Sequence, residues 1–263
     1  MDAQTNSGQA MTDAMIKLVG SNAALDYFTY ANVQTGFIYL SCPAVANVRT
    51  VGSLNLAVSD ALGLDYELSE LKYATNRRLS IVENPKQIGY SVFGQMLDDP
   101  GVLKFTFVRN PLDRFTTLYR NSFSNNRKKS DARIKLFKFL GLPDTAELSM
   151  LDLAELLIEE ADLKSLFPQL RTQRQMTGFD LVEYDFIGRH ETWEADYSAV
   201  ANEIFGSDGV LFEPIKQFNR DPEGQKVKAL TDAETKHAIK LAYQEDYAMI
   251  EEISELYPNG FAS

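Results

Sequence analysis

Two short apolar segments, each followed by a turn and then a helical pattern, constrain the fold of this chain most strongly. Residues 36–42 read Gly-Phe-Ile-Tyr-Leu-Ser-Cys, a β-prone run bounded by a glycine and by Pro43, and they predict a short buried strand. Residues 43–49 are irregular. Beyond them, apolar side chains recur at helical spacing up to a stop at Gly63: Val51, Leu54, Val58 and Leu62. The pattern therefore predicts a strand, a loop and a helix.

The second segment is Leu103–Val108, which is followed by Arg109, Asn110 and Pro111. Proline suits the first turn of a helix, so a helix is predicted from Pro111 to about Phe123. Strands that alternate with helices indicate an α/β fold with a parallel sheet covered by helices on both faces. The remaining predictions are helices over residues 130–140, 149–167 and 191–205 and a third strand near residues 182–187.

The length and composition are those of one soluble globular domain. The 263 residues are 44% hydrophobic and 24% charged, and no repeat or linker divides them, so we expect a single domain over residues 1–263. Residues 1–30 are expected to form an N-terminal helical extension. Thr231 and Glu234 have the spacing of a capping box, so a C-terminal helix is expected over residues 231–257.

Cys42 is the only cysteine of the chain, which excludes an intramolecular disulfide and a zinc site built from cysteines. A reducing compartment fits this composition best. Residues 1–14 are small and polar, without the basic and apolar regions of a signal peptide, and no run of about eighteen residues is apolar throughout. We therefore expect a cytoplasmic protein with no membrane partner.

Positive charge is concentrated in one part of an acidic chain. The formal net charge is −11, yet residues 109–138 contain nine Lys and Arg against two Asp. Such a distribution suits nucleic acid poorly, so no nucleic-acid partner is expected, but it can focus a small anion onto one cleft. The same residues are equally explained as a solvated helix face with a basic loop, and charge alone leaves both explanations open.

The two strand-to-helix connections are the places where a parallel sheet usually binds ligands. In residues 41–50, backbone N–H groups and the helix dipole can form a cradle for a phosphate. The glycines and the Gly-Lys-[Ser/Thr] ending of a Walker A loop are absent, which disfavours nucleoside triphosphate hydrolysis. After the second strand, Arg109 can grip a phosphate with two hydrogen bonds, while Thr117 adds a hydroxyl donor from the following helix.

Residues 107–119, F-V-R-N-P-L-D-R-F-T-T-L-Y, resemble the 3'-phosphate-binding motif of sulfotransferases that use 3'-phosphoadenosine 5'-phosphosulfate (PAPS). The resemblance is in particular to the carbohydrate branch that is related to the heparan 2-O and chondroitin 4-O enzymes. Residues 184–196 are similar to the family's D-F-I-G-R-F-E…D block, and residues 219–247 resemble its C-terminal region. With the loop after Pro43, the resemblance spans residues 35–257.

The resemblance implies a P-loop-like sulfotransferase fold and the transfer of a sulfuryl group from PAPS to a hydroxyl or amine, with PAP as product and no metal. The acceptor is expected to be a small molecule or a carbohydrate. A monomer or homodimer is expected. A bacterial origin is expected as well, because the Golgi members of the family carry a membrane anchor that this chain lacks. Arg109 and Thr117 would bind the 3'-phosphate. The 5'-phosphosulfate would be bound by the loop residues Val45, Ala46, Asn47, Val48, Arg49 and Thr50.

The loop departs from the family's usual pattern, P-K-x-[GA]-x-[ST]-[ST]. Ala44 takes the place of the lysine, and Val48 takes the place of a hydroxyl residue. In the family this lysine stabilises the charge that develops on the bridging oxygen in the transition state, so its loss bears on catalysis. Either Arg49 and Thr50 compensate for it, or the chain is a non-catalytic relative that still binds PAP or PAPS. A phosphotransferase with a degenerate loop is a third and weaker alternative.

A hydroxyl acceptor also needs a general base. The candidates are Glu83, in the irregular residues 80–85, and His190, which replaces an aromatic residue in the D-F-I-G-R-F-E-like block. Both have ordinary explanations as well, since a lone loop glutamate is commonly solvated and a histidine in an aromatic position commonly packs. Together with Arg49, these two residues are the predicted catalytic set.

Overall fold

The computed structural model describes residues 3–64, 80–125, 130–160, 162–206 and 231–262. These residues form two compact units. The sheet unit lies within Met1–Val108, Gln173–Asn219 and Glu252–Ser263, and the helical unit lies within Arg109–Thr172 and Arg220–Glu251. That the two units associate as a single domain stays a prediction.

The described part of the sheet unit contains a four-stranded sheet. Its strands are β1 (Thr29–Asn32), β2 (Phe37–Leu40), β3 (Leu103–Val108) and β4 (Phe186–Arg189). They lie side by side in the order β1-β2-β3-β4; β1 is antiparallel to β2, whereas β2, β3 and β4 are mutually parallel. The predicted α/β fold, a mostly parallel sheet flanked by helices, is confirmed.

Helices account for most of the remaining described chain. They are α1 (Ala3–Val19), α2 (Asn22–Phe28), α3 (Asn47–Ala61), α4 (Pro85–Ile88), α5 (Tyr90–Asp98), α6 (Pro111–Leu118), α7 (Asp131–Leu140), α8 (Met150–Glu159), α9 (Asp162–Leu166), α10 (Gln173–Thr177), α11 (Trp193–Phe205), α12 (Ala233–Ala242) and α13 (Gln244–Leu256). Helices α6 to α9, α12 and the first turns of α13 belong to the helical unit. Within the described ranges, no helix combines the length and apolarity needed to cross a bilayer.

Aromatic side chains of the central strands build the core of the sheet unit. Tyr39 of β2 stacks on Phe105 of β3 with ring centroids 5.0 Å apart, and Phe107 packs edge-on against Tyr39. Helices α3 and α11 add buried side chains to the same cluster, which explains the helical spacing read from the sequence of α3. These are Val51, Leu54 and Val58 from α3 and Trp193, Tyr197 and Val200 from α11.

The strands differ from the sequence prediction at two places. β1 was not predicted; it follows directly on α2 and lies at the antiparallel edge of the sheet. Helices α1 and α2 therefore fill the predicted N-terminal extension as far as Phe28, and a strand begins at Thr29. The third predicted strand, near residues 182–187, is β4 and begins four residues later, at Phe186.

The helices of the helical unit are shorter than predicted. The helix that starts at Pro111 changes to a π-helical turn after Leu118. The predicted helix over residues 149–167 is two helices, α8 and α9. The predicted C-terminal helix is likewise two helices, α12 and α13, which meet at Tyr243. The capping prediction is also wrong in detail, because the residue that caps α12 is Asp232, whose carboxylate accepts a hydrogen bond from the Thr235 amide.

Candidate functional site

The connection between β2 and α3 is a tight turn with unusual backbone angles. Ala44 has φ 63° and Ala46 has φ 45°, in the left-handed region that residues other than glycine rarely adopt. Each such residue costs on the order of 1 kcal/mol, and such strain persists only where the surrounding structure enforces it. Backbone strain of this kind clusters at ligand-binding sites, so the turn is a candidate site on its conformation alone.

The start of α3 has no side-chain cap. Its N-cap residue, Ala46, has no side chain that can accept a hydrogen bond from the first amides of the helix. Ser41, which follows β2, is fully buried, and its hydroxyl has no hydrogen-bond partner among the described residues. Helix amides without a side-chain cap and a hydroxyl of this kind are groups that can bind an oxyanion.

Arg49 brings a positive charge to this turn. Its guanidinium lies 4.2 Å from the ring centroid of Trp193, the first residue of α11, and its Nη2 donates to the His190 carbonyl at 3.0 Å. The positive charge is thus held at the first turn of α3 by the segment that joins β4 to α11.

Thr50 is fully buried, and its hydroxyl is used inside the protein. The hydroxyl donates to the Ala46 carbonyl at 3.1 Å and accepts from the indole Nε1 of Trp193 at 2.8 Å. Thr50 therefore supports the turn. The sequence analysis did not identify Trp193 as a partner of the loop; that it is the only tryptophan of the chain was the one available signal.

The other predicted loop residues differ in exposure. Val45 is fully buried in the core of the sheet unit, so it can offer only its backbone to a ligand. Val48, in the place of a hydroxyl residue, is 48% exposed. Asn47 is the first residue of α3, and its side-chain Oδ1 is buried with no hydrogen-bond partner in the described chain.

His190 lies beside the turn and uses its main chain there. Its amide donates to the carbonyl of Val108, the last residue of β3, at 2.8 Å, and its carbonyl accepts the bond from Arg49. The carboxylate of Asp196 fixes the same segment, because it accepts from the Arg189 amide at 2.6 Å and from the Thr192 hydroxyl at 2.9 Å. The structure thus brings Arg49 and His190 together.

Glu83 lies elsewhere in the sheet unit. Its amide and carbonyl exchange hydrogen bonds with those of Ala31 on β1. Ala31 is in turn the partner of Ile38 on β2, which lies three positions before Ser41. Three positions along a strand are about 10 Å. Glu83 also lines a cavity of about 770 Å³ together with residues of the β1–β2 turn and of the C-terminal end of α3. The structure does not bring Glu83 to the loop.

Arg109 and Thr117 belong to the helical unit. Arg109 follows β3 directly, and Asn110 then caps α6 by accepting from the Leu112 amide at 3.0 Å. Thr117 lies on α6 and is half-buried. Arg114, the other arginine of this motif, is 1% exposed, and it donates to the Arg171 carbonyl at 2.8 Å. Arg114 therefore has a structural role.

Comparison with known proteins identifies the family. A model of the Sulfotransferase family matches residues 84–257, and the chain belongs to this family. The matched part contains the Arg109 motif and the block over residues 184–196; the strained turn lies outside it. No curated protein and no solved structure matches the chain. In the described ranges, no group of His, Cys, Asp and Glu side chains is arranged to hold a metal ion.

Buried phenols near the turn predict a loss of stability at alkaline pH. Burial raises the pKa of Tyr39 and of Tyr197 above the ordinary value of 10.0. In the unfolded chain these phenols ionise near pH 10, so their contribution to stability is complete below that pH and is lost as the pH rises above it. Above pH 10, each phenol lowers the unfolding free energy by up to about 1.4 kcal/mol per pH unit.

The measurement is denaturant unfolding at a series of pH values from about 9 to about 11. Tyr39→Phe should reduce the slope of stability against pH, whereas Val200→Ala, which removes no titratable group from the same core, should leave it unchanged. Equal slopes in the wild type and in Tyr39→Phe would contradict the prediction.

Proposed function

We propose that this protein transfers the sulfuryl group of PAPS to a hydroxyl or amine of a small-molecule or carbohydrate acceptor and releases PAP. The family membership supports group transfer of this kind. The observation that carries the proposal is the uncapped start of α3 after a strained turn, with the cation of Arg49 held beside it. That combination suits a doubly charged phosphosulfate better than a neutral ligand.

In this proposal the turn binds the 5'-phosphosulfate. The amides at the start of α3 and the Ser41 hydroxyl donate to its oxygens, and Asn47 and Val48 contribute their backbone N–H groups. Arg49 supplies the positive charge that the family's lysine would supply at Ala44. The 3'-phosphate is assigned to Arg109 and Thr117, on the resemblance of residues 107–119 to the family's motif.

The reaction is an in-line displacement at sulfur. The acceptor's oxygen or nitrogen forms the new bond to sulfur, the bond from sulfur to the bridging oxygen breaks, and that oxygen leaves with PAP. Negative charge grows on the bridging oxygen, and a cation fixed in advance lowers the energy of that state. The proton leaves the acceptor for a base. Of the two predicted bases only His190 lies beside the turn, and it is the base that we propose.

The alternative is a non-catalytic relative that binds PAP or PAPS. Ala44 favours it, because the ammonium that the family places at this position is missing. The two functions share the nucleotide site and differ in turnover, so an experiment on binding and an experiment on PAP release separate them.

Stabilisation by PAP is the test of the nucleotide site. At about 100 times its dissociation constant, PAP should add roughly 2.7 kcal/mol to the unfolding free energy of the wild type. The same PAP concentration should stabilise Arg49→Ala and Arg109→Ala much less, since each has lost the cation that the proposal assigns to one phosphate of PAP. The measurement is denaturant unfolding with and without PAP.

Lys138→Ala is the matched control, because it removes one positive charge from an exposed position on α7. It should keep the full stabilisation. Absence of stabilisation in the wild type would count against both functions, and equal stabilisation in all four proteins would show that PAP binds elsewhere.

A further inference from the structure

We infer that Trp193 is the positioning residue of the phosphosulfate turn, acting on the nucleotide through Thr50 and Arg49 without touching it. The inference rests on the proposed function and adds to it a residue outside the loop. It concerns only contacts within the sheet unit.

The indole of Trp193 makes two different contacts with the first turn of α3. Its Nε1 donates to the Thr50 hydroxyl at 2.8 Å, a bond between side chains that are 3% and 0% exposed. Its ring lies 4.2 Å from the Arg49 guanidinium carbon. The hydrogen bond fixes the orientation of the Thr50 hydroxyl, and the cation–π contact holds the Arg49 guanidinium over the ring. Together the two contacts define where the turn and its cation lie.

The hydrogen bond continues into the strained backbone. The Thr50 hydroxyl that accepts from Trp193 donates in turn to the carbonyl of Ala46, the residue with φ 45°. An alanine in this region needs its neighbours to keep it there. The chain from indole to hydroxyl to carbonyl is such a support, and it leads to the residue that begins α3.

The indole is itself held rigidly. The ring of Tyr197, one turn further along α11, stacks on it with centroids 5.0 Å apart and planes 17° apart. Phe107 of β3 packs against it at 6.4 Å. A rigid support that acts through a hydrogen bond is what a preorganised anion site requires, because the amides then need no rearrangement when the ligand binds.

The first experiment uses the single tryptophan of the chain. Emission under tryptophan-selective excitation reports on Trp193 alone. Titration with PAP should change that emission with the same dissociation constant that calorimetry gives, because a bound anion changes the electric field of the Arg49 cation that lies over the ring. Calorimetric binding without a change in emission would overturn the inference and leave the proposed function standing, whereas no calorimetric heat of binding would overturn the proposed function itself.

The second experiment separates positioning from packing. Trp193→Phe keeps an aromatic ring and removes the indole N–H, and Thr50→Val removes the hydroxyl at nearly constant volume. Trp193→Phe should weaken PAP binding about fivefold, the equivalent of one net hydrogen bond, and Thr50→Val should weaken it at least as much, because it also deletes the bond to the Ala46 carbonyl. The bond between the two side chains is already lost in Thr50→Val, so the double variant should bind PAP about as well as Thr50→Val alone.

Val200→Ala is the matched control, since Val200 is fully buried in the same core and lies two turns further along α11. It should lower the unfolding free energy and keep the wild-type affinity for PAP, measured by calorimetry on folded protein. If Trp193→Phe behaves as Val200→Ala does, losing stability but no affinity, Trp193 only packs and the inference is wrong.

Discussion

Arg114→Met is expected to lower the unfolding free energy by about 3–5 kcal/mol, because it removes the guanidinium that lies beside a buried carboxylate. The Nη1 of Arg114 lies 3.6 Å from Oδ2 of Asp246, and the two side chains are 1% and 0% exposed. The same guanidinium donates to the Arg171 carbonyl at 2.8 Å, so this acceptor is also left without its donor. The measurement is denaturant unfolding near neutral pH.

An exposed ion pair provides the control. Asp180 is 58% exposed and pairs with Arg174. Asp180→Asn should cost less than about 1 kcal/mol, since an exposed pair gains little over its hydrated partners. Adding Asp246→Leu to Arg114→Met should restore part of the loss, because the buried charge is then gone as well. Equal losses in Arg114→Met and Asp180→Asn would contradict the prediction.

The elements that the sequence predicts well are those whose pattern is complete within one segment. β2 is an apolar run because this strand is buried on both faces. The apolar spacing in α3 marks the face that packs against the aromatic cluster, whereas small and polar residues bury its other sides. β1 has no such pattern of its own. It forms because its backbone pairs with β2 on one side and, at Ala31, with Glu83 on the other.

The break at Tyr243 shows why a periodic stripe does not mark the end of a helix. The apolar residues of α12 and α13 continue with helical spacing across the break. The break itself is held by distant groups: the Tyr243 hydroxyl donates to the Leu170 carbonyl at 2.9 Å, and its ring packs against Phe115 at 5.7 Å. Neither contact is visible in the local sequence.

The sequence predicts which loop forms the candidate site, but not how the side chains of that site are arranged. The position of the loop after β2 and the missing lysine both follow from residues 41–50. The partner of Thr50 is Trp193, 143 positions along the chain, so its role depends on how α11 packs against α3. Glu83 shows the converse. It follows the loop in sequence, yet it pairs with Ala31, which is level with Ile38, two positions before the last residue of β2.

Arg49→Ala should reduce the rate of PAP release from PAPS about 100- to 1,000-fold, the usual effect of removing one group that stabilises transition-state charge. The loss should be in kcat as well as in KM, since the charge on the bridging oxygen grows only as the sulfuryl group leaves. The rate of PAP release by Arg49→Lys should lie between those of the wild type and of Arg49→Ala, because an ammonium keeps the charge and loses the planar contact with Trp193. The rate is measured with a panel of hydroxylated and aminated acceptors.

Ala44→Lys tests the same argument from the other side. Ala44 already has φ 63°, so replacing it with lysine adds no backbone strain that alanine does not have. In the Arg49→Ala background, Ala44→Lys returns an ammonium to the position where the family's pattern has one, and it should restore most of the lost rate. In the wild-type background it should change the rate little, because Arg49 already provides the charge. If instead the wild type releases no PAP and Ala44→Lys alone starts turnover, Arg49 does not replace the lysine, and the natural chain binds the nucleotide without using it.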